Sequence, residues 1–168
     1  SNIGTNFRKA QFDEAKREAI SSAQINAVNY TTDKDGNISL KNLSNFEFDS
    51  GLNDQRDAKA MQSFYQTNLI TNYGNALTKD VQQYVDNYLV QNPLDFKGLL
   101  AKRDGYVKGK NLDINAELKS TVLPNINAAF ANGANKAKAN YTKVKMSENI
   151  TNVENVMNIH TAELMRLN

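Results

Sequence analysis

Residues 61–88 read MQSFYQTNLITNYGNALTKDVQQYVDNY, and their apolar side chains return every three or four residues. This interval is the period of an α-helix that buries one face. The predicted face comprises Met61, Tyr65, Leu69, Tyr73, Leu77, Val81, Tyr84 or Val85, and Tyr88, joined by Phe64 and Ala76. The helix is predicted to begin at Asn53 or Asp54 and to end near Gln91, because Asp54 and Asp57 suit the positive end of a helix.

The length of this helix indicates an elongated molecule. At 1.5 Å per residue the segment spans about 57 Å. A compact globule of this chain length has a radius of gyration of only about 15 Å. The helix is therefore too long to fit inside such a globule, and Gly74 is the position where we expect any bend.

A shorter helix is predicted before it, from Asn6 to about Asn29. Its apolar positions are Phe12, Ala15, Ala19 or Ile20, Ala23, Ala27 and Tyr30, with Phe7 extending the face backward. Residues 31–52 break this period and alternate Thr, Ile, Leu and Phe with polar residues around Gly36 and Asn37. This alternation predicts a hairpin or an extended excursion between the two helices.

The DKDGN stretch at 33–37 begins like a calcium-binding loop. Asp33, Asp35 and Asn37 match loop positions 1, 3 and 5 of an EF-hand. The required glycine at position 6 is replaced by Ile38, and the bidentate glutamate at position 12 is replaced by Ser44. The sequence therefore predicts a turn here and no calcium site.

A third helix is predicted after Asn92-Pro93, with Asn92 as N-cap and Pro93 in the first turn. Its predicted buried face comprises Phe96, Leu99, Leu100, the stem of Arg103, and Val107. Gly109 is expected to end it.

The last helix begins near Asp113 and meets Pro124, which predicts a kink or a restart. Two apolar stripes follow: Ile126, Phe130, Gly133, Ala137, Tyr141 and Val144, and then Ile150, Val153, Met157, His160 and Leu164. The stripes differ in phase around residues 144–146, which indicates a change of partner helix along a long rod. No heptad in the chain is regular enough to require an extended two-stranded coiled coil. Gly133 is interpreted as a point of close helix packing or a weak spot.

These elements predict an all-α fold: an elongated helical bundle of two long and two shorter helices, with a small extended or hairpin excursion at about 31–52. A chain of 168 residues is expected to form a single helical domain, 1–168. We expect it to be a piece of a longer protein. Since no apolar run approaches about 20 residues, no membrane span is predicted.

The sequence offers little for catalysis. His160 is the only histidine and cysteine is absent, which argues against a Ser-His-Asp triad and a zinc site. We interpret His160 as a core or half-buried helix residue. The carboxylates have structural explanations at helix starts and solvated faces, so a paired-carboxylate hydrolase remains only a residual alternative. We therefore predict a non-enzymatic chain with no catalytic, cofactor-binding or metal-binding residue.

Charge is unevenly distributed. Residues 97–145 contain 10 basic and 3 acidic side chains, although the whole chain has a net charge of +2. The predicted basic contact surface comprises Lys97, Lys102, Arg103, Lys108, Lys110, Lys136, Lys138, Lys143 and Lys145. Two interpretations remain open: an ordinary solvated helix face, or a surface for nonspecific contact with nucleic acid phosphates. Sequence-specific recognition is not supported, because the interleaved Tyr106 and Tyr141 suit apolar faces.

The order of short motifs resembles a known class of proteins. These motifs are the turn at 33–37, the run 60–65 (AMQSFY) in a long helix, 92–96 (NPLDF) and 105–109 (GYVKG). Over residues 30–140 this order is similar to helical segments of large bacteriophage virion proteins of the internal-virion, ejection or tail-associated type. The resemblance implies a structural role in a virion, with other protein subunits as partners and contact with DNA or a conduit wall. It implies no catalytic residue.

A different class is also compatible with long helices. The ligand-binding ectodomain of a bacterial membrane sensor is a helical bundle that holds a small ligand between its helices. Both of its ends must lie at one pole, and its location would be periplasmic or extracellular.

Overall fold

The computed structural model describes residues 2–28, 31–32, 38–39 and 47–167, and most of these are helical. The described residues form four α-helices: α1 (Asn2–Val28), α2 (Gln55–Gln91), α3 (Phe96–Gly109) and α4 (Ala116–Leu167), with a 3₁₀ turn at Leu112–Ile114. The predicted all-α fold with two long and two shorter helices is confirmed. At 1.5 Å per residue α4 is about 78 Å long, so the molecule is elongated.

A small hairpin follows α1, as predicted. Strand β1 (Thr31–Thr32) pairs antiparallel with β2 (Ile38–Ser39), and Thr31 lies opposite Ser39. Residues 33–37 and 40–46 lie outside the described residues, and so does Tyr30. The turn at 33–37 and the absence of a calcium site there therefore stay predictions.

Helix α2 buries the face that the sequence predicted. Met61, Tyr65, Leu69, Tyr73, Leu77, Val81 and Val85 are buried, whereas Tyr84 and Tyr88 are partly buried. At its start, the Asp54 carboxylate accepts hydrogen bonds from the backbone N–H groups of Arg56 and Asp57 at 2.9 and 3.1 Å. The helix continues through Gly74, where a methyl group would lie 3.4 Å from Val122 Cγ2. Gly74 thus lies at a close contact with α4.

Helices α2 and α4 run side by side in the same direction. Gln66 on α2 donates a hydrogen bond to Glu117 at the start of α4 (3.3 Å). Further along, the side-chain amide of Asn125 on α4 donates to the hydroxyl of Thr78 on α2 (3.5 Å). Further along, Asn140 donates to the carbonyl of Pro93, just past the end of α2 (3.4 Å). Residue numbers therefore rise together along the two helices.

Helix α3 returns antiparallel against α4. Its first residue, Phe96, packs edge-on against Tyr141 with ring centroids 6.1 Å apart. One turn further, Leu99 lies beside Gly133, and Arg103 Nε donates to Asn127 Oδ1 at 2.6 Å. Together α1, α2, α3 and residues 116–140 of α4 pack into a unit that we call the body. The alanine face of α1 is buried in it: Ala15, Ala19, Ala23 and Ala27.

The start of α3 differs from the prediction. Asn92 ends α2, because its backbone N–H donates to the carbonyl of Tyr88. Asp95 is the N-cap of α3 and accepts from the N–H of Gly98 at 2.9 Å. The Tyr88 hydroxyl also donates to Asp95 at 2.8 Å, and these two bonds hold the pKa of the Asp95 carboxyl below its ordinary value.

Two residues that were expected to be buried face solvent. Phe7 on α1 is 65% exposed, so the apolar face of α1 begins only at Phe12. Leu100 on α3 is also exposed, because the side of α3 that packs against α4 carries Leu99, Arg103 and Tyr106. Periodicity alone could not distinguish Leu99 from Leu100.

Helix α4 continues through Pro124, so of the predicted kink or restart the restart is wrong and the kink stays a prediction. Proline removes one backbone donor, the partner of the carbonyl four residues earlier. That carbonyl belongs to Ser120, which is exposed and accessible to water. On either side, Val122 and Ile126 are fully buried and hold the segment against the body. Packing therefore offsets the lost hydrogen bond.

Gly133 lies at a close contact of α4 with α2 and α3, and it gives a testable expectation. A methyl group at Gly133 would collide with Val85 Cγ1 and lie 3.0 Å from Leu99 Cδ2. We expect Gly133→Ala to lower the free energy of unfolding by about 1–3 kcal/mol, because overpacking exceeds the helix-propensity gain of about 1 kcal/mol. Urea denaturation measures the change.

The matched control is Gly105→Ala on α3. A methyl group there meets nothing within 4 Å. We expect this substitution to raise the free energy of unfolding by about 0.5–1 kcal/mol through helix propensity alone. Equal effects of the two substitutions would show that Gly133 is not a point of close packing.

Candidate interaction surfaces

The second half of α4 extends beyond the body. Each residue from Tyr141 to Leu167 is exposed, whereas Leu118, Val122, Ile126 and Phe130 in the first half are buried. The 26 residues after Tyr141 span about 39 Å as a helix. Large apolar side chains are exposed along it: Val144, Met146, Ile150, Val153, Val156, Met157, Ile159, Leu164, Met165 and Leu167. We call residues 142–167 the α4 extension.

His160 lies on this extension and is exposed, so the interpretation of it as a core or half-buried residue is wrong. Its neighbours on the second predicted stripe, Ile150, Val153, Met157 and Leu164, are exposed as well. The phase slip at 144–146 marks the point where α4 leaves the body. It does not mark a change to another helix within the described part of the chain.

The structure separates the predicted basic residues. Lys97, Lys102, Lys108, Lys136, Lys138, Lys143 and Lys145 are exposed. Arg103 is half-buried, and its guanidinium donates hydrogen bonds to Asn127 Oδ1 and Asp104 Oδ1 at 2.6 Å each. Lys110 is 2% exposed, so its assignment to a contact surface is wrong.

The exposed lysines do not form one compact patch. Lys138 Nζ lies 5.9 Å from the centre of the Phe96 ring at the start of α3, next to Lys97 in the chain, and Lys143 follows on the first turn of the α4 extension. Lys108 lies near the other end of α3, about 17 Å from Lys97 along the helix axis. Lys145 is partly neutralised by Glu148 at 3.3 Å. What remains is a modest basic region where the α4 extension leaves the body.

Lys110 belongs to a buried polar cluster where the C-terminal end of α3 packs against α2. Its Nζ lies 2.9 Å from Asp80 Oδ2, so the two groups form an ion pair, although their orientation does not meet the geometry of a hydrogen bond. The same Nζ lies 4.7 Å from the centre of the Tyr106 ring. The Tyr106 hydroxyl donates to the same Asp80 oxygen at 2.5 Å. Burial, together with the hydrogen bond to Asp80, raises the pKa of the Tyr106 phenol far above its ordinary value. The cluster therefore fixes the end of α3 to α2.

This raised pKa predicts how stability depends on alkaline pH. A phenol whose pKa is higher in the folded state contributes its full stabilisation below the unfolded-state pKa and loses it as pH rises above that value. Because the unfolded chain releases the proton above about pH 10, the free energy of unfolding should fall by about 1.4 kcal/mol per pH unit there. We expect Tyr106→Phe to lower stability near pH 8 by about 1–2 kcal/mol and to make the alkaline decline shallower.

Urea denaturation between about pH 9 and about pH 11.5 tests this dependence. Comparing the two proteins isolates the contribution of Tyr106, because the rest of the chain is identical in both. An equally steep decline in Tyr106→Phe would contradict the assignment.

Neither the cluster nor the remaining described residues form a metal centre. Among residues 2–28 and 47–167, no three His, Asp or Glu side chains converge in a way that could hold a metal ion. Within the same described part of the chain, no helix combines the length and hydropathy needed to cross a bilayer.

Comparison with known proteins gives no further assignment. No family model, curated protein or solved structure matches the chain. The fold and its exposed surfaces define an all-α helical bundle with a projecting amphipathic helix.

Proposed function

We propose that this chain is a non-enzymatic structural module that binds other protein subunits through the α4 extension. The observation that carries this proposal is the concentration of exposed apolar side chains on a helix that leaves the body. Monomeric soluble proteins rarely expose large contiguous apolar surfaces, and such surfaces mark sites covered by another molecule. A projecting helix presents its apolar face to a partner without rearranging the body.

We further propose that the module is a bacteriophage virion component that acts in particle assembly or genome ejection. This step is supported by the resemblance of residues 30–140 to segments of large virion proteins. Two of its motifs occupy defined places in the fold. Residues 92–96 form the junction of α2 and α3, and residues 105–109 form the last turn of α3. As a secondary proposal, the basic region at the base of the α4 extension makes nonspecific contact with packaged DNA.

The sensor-ectodomain alternative is less well supported by the arrangement of the helices. Such a domain needs its first and last helices to end at one pole. Arg8 on α1 contacts Asp54 and Asp57 at the start of α2, at 3.1 and 3.2 Å. The α4 extension leaves the body past the opposite end of α2, near Pro93. The two described ends therefore lie toward opposite poles, which suits a rod-like assembly component.

Mass spectrometry of purified phage particles tests the virion proposal. We expect peptides of this chain in particles from a host that carries the gene, and loss of incorporation when the chain is ended after Tyr141. Particles that form and eject normally without any peptide of this chain would contradict a virion role. Normal incorporation of the shortened chain would contradict the role of the α4 extension.

A further inference from the structure

The exposed apolar side chains of the α4 extension are not scattered at random. Seven positions follow one another at alternating intervals of four and three residues: Met146, Ile150, Val153, Met157, His160, Leu164 and Leu167. We call these seven positions the α4 seam. Their mean spacing of 3.5 residues is the repeat of a left-handed coiled coil. The packed half of α4 lacks this alternation, since its buried face runs through Leu118, Val122, Ile126 and then Ala129 with Phe130.

The composition of the extension indicates that its helix needs a partner. Asn, Thr and β-branched residues fill much of residues 149–161, and these residues favour helix only weakly. A helix of this composition is marginal in water unless an apolar face is packed. The first half of α4 nucleates the extension, so partner binding need only stabilise a helix that has already begun.

We propose that the α4 seam pairs with the α4 seam of a second copy of this chain, as a short parallel coiled coil. The inference rests on the proposed structural role, and it identifies the protein subunit bound by the α4 extension as a second copy of this chain. Two seams of about 33 Å would bury on the order of 1,200–1,500 Å² in total, within the range of specific stable interfaces. One copy exposes the complete apolar stripe, and a second copy supplies an identical stripe of matched length.

The polar position within the seam favours the parallel orientation, and a flanking charge disfavours one antiparallel alternative. Each helix of a coiled coil has residues that flank the seam on its left and residues that flank it on its right. In a parallel pair, the left-hand residues of one helix face the right-hand residues of the other. Glu154 of each copy then lies opposite Asn149 of the other. Two antiparallel registers each align six of the seven seam positions. Pairing Val153 with Met157 places Glu154 opposite the second Glu154, where like charges are unfavourable, whereas pairing Met157 with His160 packs each histidine against an apolar side chain. The parallel pair also places both His160 side chains in one layer, a polar layer that fixes the register.

Two substitutions at equally exposed positions test whether the seam is the interface. Met157 lies on the seam and is 62% exposed, whereas Ile159 lies on the opposite side of the helix and is 61% exposed. We expect Met157→Glu to weaken self-association by about 100-fold or more, because each dimer then buries two carboxylates. We expect Ile159→Glu to associate like the unsubstituted chain. Neither substitution touches the body, so both variants should fold.

Sedimentation velocity over a concentration series gives the readout. The unsubstituted chain is expected to move from 18.8 kDa toward twice that mass, while Met157→Glu stays at 18.8 kDa. A chain that stays monomeric at high micromolar concentration would overturn the proposal. The partner of the seam would then be a different protein. Equal loss in both variants would also overturn it. Detection in phage particles despite a monomeric chain would reject self-pairing but not the proposed function.

An introduced cysteine tests the orientation. The chain contains no cysteine, so His160→Cys has only its copy in the partner as a disulfide partner. A parallel pair brings the two sulfur atoms into one layer, and mild oxidation should join most of the dimer covalently. A dimer that forms normally but does not cross-link would contradict the parallel arrangement.

Discussion

Asp80→Ala is expected to lower the free energy of unfolding by about 3–5 kcal/mol, because it leaves a buried cation without its counter-ion. Lys110 is 2% exposed and lies 2.9 Å from Asp80 Oδ2. The same substitution removes the acceptor of the Tyr106 hydroxyl. The ammonium group must then remain buried without its counter-ion or move into water at the cost of the packing around Tyr106. Urea denaturation near neutral pH measures the loss.

Two further variants separate the buried charge from helix effects. Asp86→Ala removes an exposed carboxylate from the same helix, where it accepts a hydrogen bond from Gln82. We expect it to change stability by no more than about 0.5 kcal/mol. Lys110→Met in the Asp80→Ala background removes the stranded cation and should recover much of the loss. A loss below about 1 kcal/mol in Asp80→Ala would show that the pair is not buried as described.

Phe130→Ala is the second large effect, with an expected loss of about 3–5 kcal/mol. Phe130 is 1% exposed and joins three helices in one aromatic cluster. Its ring lies 5.9 Å from Tyr84 on α2 and 5.7 Å from Tyr106 on α3, and these two tyrosine rings are 5.0 Å apart. Truncation leaves a cavity that none of the three helices can fill without moving the others.

The control for this substitution is Phe7→Ala. It removes the same side chain from a position on α1 that is 65% exposed. We expect a change within about 0.5 kcal/mol, because the ring is already in water. If both substitutions cost the same, burial at Phe130 would not explain its effect. Urea denaturation of both variants under one set of conditions gives the comparison.

The sequence predicted the helices because their apolar faces are long and regular. The face from Met61 to Val85 repeats through seven turns, and no alternative structure places those side chains on one side. The start of α3 was misplaced because Asn92 and Asp95 are both good N-caps. Only the backbone bond from Asn92 to Tyr88 shows that Asn92 still belongs to α2.

The buried cluster was missed because a lysine carries no sign of burial in the sequence. Lys110 follows a helix-ending Gly109 in a basic stretch, where exposure is the ordinary expectation. One signal was available at Asp80, which follows Leu77 by three residues and precedes Tyr84 by four. It therefore lies at the edge of the apolar face of α2, where a carboxylate requires a partner.

The exposure of the second stripe on α4 could not be predicted either. A regular apolar stripe indicates a covered face, but it does not indicate whether the same chain or another chain covers it. Three heptads are too few to require an extended coiled coil. The exposure of residues 141–167 in the folded chain is what indicates that the stripe from Met146 to Leu167 is an interface with another chain.

Hydrogen exchange of the full chain in dilute solution tests the division of α4 most directly. Below the concentration at which copies associate, backbone amides from Leu118 to Ala137 should exchange only through global unfolding, because the body protects them. Amides beyond Tyr141 should exchange orders of magnitude faster, through local fraying of an unpacked helix. Uniform slow exchange along the whole of α4 in dilute solution would contradict the account, since it would mean that residues 142–167 are packed in the single chain.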